Sequence, residues 1–129
     1  MQCKFPYFED RPHIPITLEY HGKRVKFLPL LDSGADYSVF YKSDAHRLGL
    51  DWNQGISLDF HNADGTLFKA KQFLLTMEVE RVPFKTKVCF VESTASSMPL
   101  LGRVGVFERF YITLCEKEKY VEVKDYIKL

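Results

Sequence analysis

An apolar run that ends abruptly in a carboxylate constrains this chain more than any other stretch: Leu28-Pro-Leu-Leu-Asp-Ser-Gly-Ala-Asp36. Leu28, Leu30 and Leu31 supply a buried strand. Asp32 follows with no charged residue between, so its carboxylate emerges where the chain leaves the core. A carboxylate in such a place is costly unless it is paired or hydrogen-bonded. Ser33 sets a short donor and acceptor beside it, and Gly34 allows a turn or close backbone approach that a Cβ would forbid. Asp, Ser and Gly are also the commonest turn formers, so on this triplet alone an ordinary strand-to-turn exit is the stronger reading.

A second stretch changes the balance. Tyr37-Ser-Val-Phe40 continues from the loop as a strand, and downstream Pro99-Leu-Leu-Gly-Arg103 combines an apolar pair with a glycine and an arginine. In this order and separation the two stretches resemble the paired signatures of the retropepsin-like (retroviral-type) aspartic peptidase family. Between them, Gly65-Thr-Leu-Phe-Lys-Ala-Lys-Gln-Phe73 looks like the outgoing strand of that family's flap, the hairpin that closes over substrate. The resemblance covers most of the chain. It implies a mostly β, retropepsin-like acid protease barrel, one domain over residues 1–129, with a flap hairpin and short helices.

The same resemblance implies roles for residues. Asp32 is the catalytic carboxylate, and Ser33 and Gly34 support its loop. Ala35, Asp36, Asp64, Gly65, Leu100 and Leu101 meet substrate, and Asp36 pairs structurally with Arg103. No metal or cofactor is implied. The tip departs from the pattern, with His61, Asn62 and Asp64 where retroviral flaps carry more glycine and apolar residues. Aspartic-peptidase chemistry needs two close carboxylates sharing a proton. This chain holds one Asp-Ser-Gly, because Asp64-Gly65-Thr66 has the wrong order. The implied enzyme is therefore a symmetric homodimer, an aspartic endopeptidase taking an extended peptide or protein substrate as an added strand. The alternatives are a non-catalytic peptide-binding or dimerisation module on the same fold, and an unrelated β-barrel in which Asp-Ser-Gly is only a turn.

Composition bounds these readings. At 129 residues with 46% hydrophobic and 15% aromatic content, the chain suits one domain around one core. A formal net charge of +1 gives no electrostatic case for nucleic acid. There is neither an apolar run of membrane-spanning length nor an N-terminal signal pattern, so the expected compartment is cytoplasmic, with no membrane partner. Cys3, Cys89 and Cys115 are odd in number and lack metal-ligand spacing, which reads as isolated thiols.

Along the chain, Met1 to Pro12 mixes aromatics, acids and two prolines, which predicts an irregular surface arm. Runs 13–20 and 23–31 read as strands around a His21-Gly22 hairpin turn. Ser43 is expected to cap a short helix over 44–48 with Gly49 beyond its end. Trp52 reads as a core plug. A strand over 56–60, a tip at 62–66 and a long strand through Glu80 follow. A turn over 81–85 leads to a strand over 86–91, then a loop over 92–98. A helix over 104–109 and a C-terminal hairpin around Glu116-Lys-Glu-Lys119 complete the expectation.

Overall fold

The structure, a computed structural model, describes residues 1–61, 65–92 and 99–126. Among the described residues, eleven strands are ordered as β1 (Gln2–Pro6), β2 (Ile16–Tyr20), β3 (Lys23–Phe27), β4 (Leu30–Leu31), β5 (Ser38–Tyr41), β6 (Ile56–His61), β7 (Leu67–Val79), β8 (Val82–Val91), β9 (Leu100–Leu101), β10 (Phe110–Cys115) and β11 (Tyr120–Asp125). One α-helix, α1 (Lys42–Arg47), and a 3-10 turn, Trp52–Gln54, lie between β5 and β6. The fold is mostly β, as the sequence implies.

Two sheets share the core. The larger runs β3-β2-β7-β8-β5-β9-β4, with β6 added to β7, and the smaller runs β1-β11-β10. Phe40, Phe90, Leu18, Leu75 and Met77 fill the large sheet's inner face and are essentially buried. Phe110, Val121 and Val123 bring the small sheet onto the same cluster, with the Phe110 ring edge-on to Phe84 at 5.7 Å.

Local chemistry explains most boundaries. His21 and Gly22 both take positive φ, 47° and 83°, the geometry that turns β2 tightly into β3. Leu28-Pro29 interrupts the next run, so a strand expected to be continuous to Leu31 splits into β3 and β4. The turn before β8 lies at Glu80-Arg81, both at positive φ, rather than over 81–85. Pro83 consequently sits inside β8, opposite Glu78 of β7, whereas β5 joins the other side of β8 only from Val88 onward. A proline is tolerated there because its missing N–H faces no partner strand.

Three further expectations are corrected. The N-terminal segment is not irregular: β1 pairs with β11 from Gln2↔Lys124 to Pro6↔Tyr120, a non-local partnership that outweighs its mixed composition. Helix α1 begins two residues earlier than Ser43 would set it, because the Asp44 carboxylate accepts the Tyr41 amide at 3.0 Å and fixes the start at Lys42. Residues 103–107 do not make a regular helix. Val104 is extended and Gly105 takes φ 99°, ψ −72°, so only a short helical turn remains before β10. Trp52 is partly buried against the core, with Lys42 Nζ 4.9 Å from its ring centroid. Among the described residues no helix is long and apolar enough to cross a membrane.

Candidate active site

The chain places Asp32 by building a short parallel ladder beneath it. Leu30 and Leu31 of β4 pair in parallel with Leu100 and Leu101 of β9, joining the two sequence stretches singled out above. The Leu30 amide donates to the Pro99 carbonyl and the Asp32 amide to the Leu101 carbonyl, each at 2.9 Å. On the other side, the Leu31 amide donates to the Pro12 carbonyl, and His13 bridges to Leu30. The backbone of Asp32 is thereby fixed while its side chain stays half-buried at the surface.

Beyond Asp32 the chain turns. The Gly34 amide donates to Asp32 Oδ1 at 2.9 Å and the Ala35 amide to the Asp32 carbonyl at 3.1 Å. An amide on one carboxylate oxygen orients the group and stabilises its charge. Ser33 and Gly34 are exposed beside it, Ala35 is half-buried and Asp36 is exposed.

The Gly102–Arg103 stretch closes on this loop from behind. The Arg103 amide donates to the Ala35 carbonyl at 2.9 Å and the Val104 amide to the Asp36 carbonyl at 2.8 Å. Arg103 Nη2 donates to Asp36 Oδ1. A Cβ at Gly102 would lie 2.8 Å from the Ala35 carbonyl oxygen and closer still to that of Tyr37, so glycine is required by contact rather than by φ. Asp36, Tyr37, Arg103, Val104 and Glu108 rim a shallow hollow beside the loop.

The remaining expected site residues divide. Leu100 is half-buried and can present surface near the loop, whereas Leu101 is fully buried and belongs to the core beneath it. Leu101 therefore supports Asp32 through its carbonyl and does not line a groove. Gly65 is exposed, at φ 88°, on the segment that joins β6 to β7. That hairpin pairs from Ile56↔Gln72 to His61↔Leu67, with Phe60 and Phe68 rings 5.8 Å apart. Asp64 lies outside the described residues, as do Asn62 and Ala63 of the expected tip.

Two supporting residues were not singled out from sequence. Ser38 is fully buried, and its hydroxyl accepts the Gly102 amide at 3.1 Å. His13 is also buried, its Nδ1 3.0 Å from the Leu28 carbonyl. A serine inside the apolar run Tyr37-Ser-Val-Phe40 is the one sequence signal that could have marked the first. Nothing local marks His13.

Neither a protein-family model nor a curated protein matches the chain. Solved structures do. The chain superposes on a retropepsin-like aspartic protease from Rickettsia conorii with a TM-score of 0.70 and 22% identity, covering 95% of this chain and 98% of that one. The protease of EIAV, solved with the inhibitor HBY-793, gives 0.56 and 21% identity over 74% of this chain and 85% of its own. The retroviral protease-like domain of Ddi1 from Leishmania major gives 0.58 and 15% identity over 91% and 94%. The fold of this chain is the retropepsin-like fold.

Proposed function

We propose that the chain is an aspartic endopeptidase whose active form is a homodimer, with Asp32 of each copy meeting across the two-fold axis. The observation that carries this reading is the placement of Asp32. A half-exposed carboxylate stands at the end of a buried parallel ladder, on a retropepsin-like fold, with its loop fixed by amides from both flanking stretches.

In the assembled dyad, like charges held close favour one proton shared between the two carboxyls. The ionised Asp32 takes a proton from a water, whose oxygen attacks the peptide carbonyl carbon. The protonated Asp32 gives its proton to the carbonyl oxygen. Collapse of the tetrahedral diol breaks the C–N bond: the Asp32 that took water's proton gives it to the leaving amine nitrogen, and the other Asp32 takes a hydroxyl proton as the carboxylic acid forms, which restores the shared proton. Gly34 keeps its amide on Asp32 Oδ1 throughout, Ser33 holds the two loops together, and Ala35, Asp36 and Leu100 meet the substrate backbone. Substrate enters as an extended strand beneath the β6/β7 hairpin, which serves as the flap.

Cleavage of an unstructured protein, followed from acid to neutral pH for wild type and Asp32→Asn, tests the proposal. The expected loss is on the order of 10²–10⁴-fold, with the dimer intact. Equal cleavage by both proteins refutes the role of Asp32, and a dimer inert at every pH identifies a binding module instead.

A further inference from the structure

Strand pairing leaves one stretch of β8 open. The two-residue turn Glu80-Arg81 makes Val79 and Val82 the first pair of the β7/β8 ladder. Directly bonded pairs alternate from that one, so Phe84 and Thr86 bond inward to β7, and the amide and carbonyl of Lys85 point away from it. On that side β5 reaches β8 only at Val88. In the space before it, residues 105–109 face β8 across a hollow of about 250 Å³, with Tyr126 as a further wall.

The lining of this hollow carries donors that the protein leaves unanswered. Arg109 lays its guanidinium over Phe84, 5.0 Å from the ring centroid, and its Nε is buried without an acceptor. Two nearby carboxylates are engaged elsewhere. Asp125, opposite Phe110 in the ladder, meets the Met1 amino group at 3.5 Å, and Glu108 Oε1 accepts the Gly105 amide at 3.1 Å. Thr86 is only 6% exposed, yet among the described residues its hydroxyl has no hydrogen-bond partner. Buried polar groups are ordinarily paired, so two unpaired ones lining a single hollow point to an absent partner. Gly105 keeps the space clear, since a Cβ there would collide with Thr86 Oγ1.

We propose that this hollow binds a small organic monocarboxylate, its oxygens on the Arg109 guanidinium and the Thr86 hydroxyl and its apolar body beside Phe84 and Tyr126. A planar guanidinium matches the two oxygens of a carboxylate, and the outward Lys85 amide adds a neutral donor. The hollow has room for on the order of eight waters, more than a carboxyl group fills, so the ligand brings a body with it. Glu108 at the rim opposes a second negative charge, which favours a monocarboxylate over a phosphate. A free acid and the C-terminal carboxylate of a peptide share this chemistry. The wall at 105–109 follows Arg103 and Val104, whose amides hold the Asp32 loop, yet the binding needs nothing from Asp32.

The isotope-labelled full chain, followed through its amide NMR spectrum, is titrated with benzoate, neutral benzamide, N-acetylphenylalanine as a model peptide end, and inorganic phosphate. Benzoate or N-acetylphenylalanine is expected to shift the Lys85, Thr86 and Gly105 amides saturably, and the tighter of the two tells a free acid from a peptide end. Benzamide is expected to leave them in place. Arg109→Met keeps an apolar stem over Phe84 and removes the fork, with an expected loss of affinity of about tenfold or more. Arg109→Lys, which keeps the charge alone, is expected to weaken binding as well. Lys87→Gln, exposed on the same strand and outside the hollow, is expected to change nothing. Neither acid shifting these amides, benzamide shifting them equally, phosphate binding more tightly than both acids, or undiminished binding by Arg109→Met overturns the proposal. If that variant does not fold, the benzoate and benzamide titrations of the wild type decide alone.

Discussion

The Ser38 hydroxyl accepts a hydrogen bond from the Gly102 amide across 3.1 Å inside the core, tying β5 to the stretch that braces the Asp32 loop. Removing the hydroxyl strands a buried amide, which costs about 1–3 kcal/mol. Ser38→Ala is therefore expected to lose that much stability in urea unfolding with its m-value unchanged. A loss below about 0.5 kcal/mol means that the amide has found another acceptor.

Gly105 carries two separable constraints. Its φ of 99° is unfavourable for any L side chain, and an added Cβ would run into Thr86 Oγ1. Backbone strain of this kind costs about 1–3 kcal/mol, and the collision adds to it. Gly105→Ala is expected to lose more stability in wild type than in a Thr86→Ala background. Equal losses in both backgrounds would assign the whole effect to the backbone.

The Asp36–Arg103 pair joins side chains that are 71% and 61% exposed. Solvent screens such pairs, so Arg103→Ala is expected to cost under about 1 kcal/mol in the isolated chain, and less again in high salt. A cost of several kcal/mol, insensitive to salt, would mean that assembly buries the pair.

Burial pushes the Cys89 thiol above its ordinary value of 9.0, partly offset by the Gln72 amide that donates to Sγ at 3.6 Å. The folded thiol keeps its proton after the unfolded one has lost it. The resulting stabilisation is full below about pH 9 and is lost as pH rises toward the folded value. Urea midpoints are expected to fall more steeply above pH 9 in wild type than in Cys89→Ala. In native protein, thiol reagents should modify half-buried Cys3 and Cys115 before Cys89. Parallel pH slopes in the two proteins would remove Cys89 from this role.

What could be read from sequence depended on how local its cause was. Asp32, Gly34, Gly102 and Arg103 stood out because tight turns and close approaches need particular residue types, and those types lie side by side in the chain. Hairpins announced themselves at His21-Gly22 and around Glu116–Lys119 for the same reason. By contrast, β1 owes its order to β11, more than a hundred residues on, and its own composition argued against regularity. Gly105 looked like a residue within a helix because hydrophobic spacing does not report φ. Leu101 looked like a groove residue beside Leu100, since neighbours in a motif need not face the same way.

The parallel pairing of Leu30–Leu31 with Leu100–Leu101 also sets a timetable. Contacts between distant segments form slowly, because the long intervening loop must first be closed. During synthesis Asp32 emerges long before Pro99, Leu101 and Arg103, the residues whose backbone fixes its loop. A growing chain, or one cut short before Pro99, thus carries the carboxylate without its support. The fold delays completion of the Asp32 loop until the chain has been made through Val104.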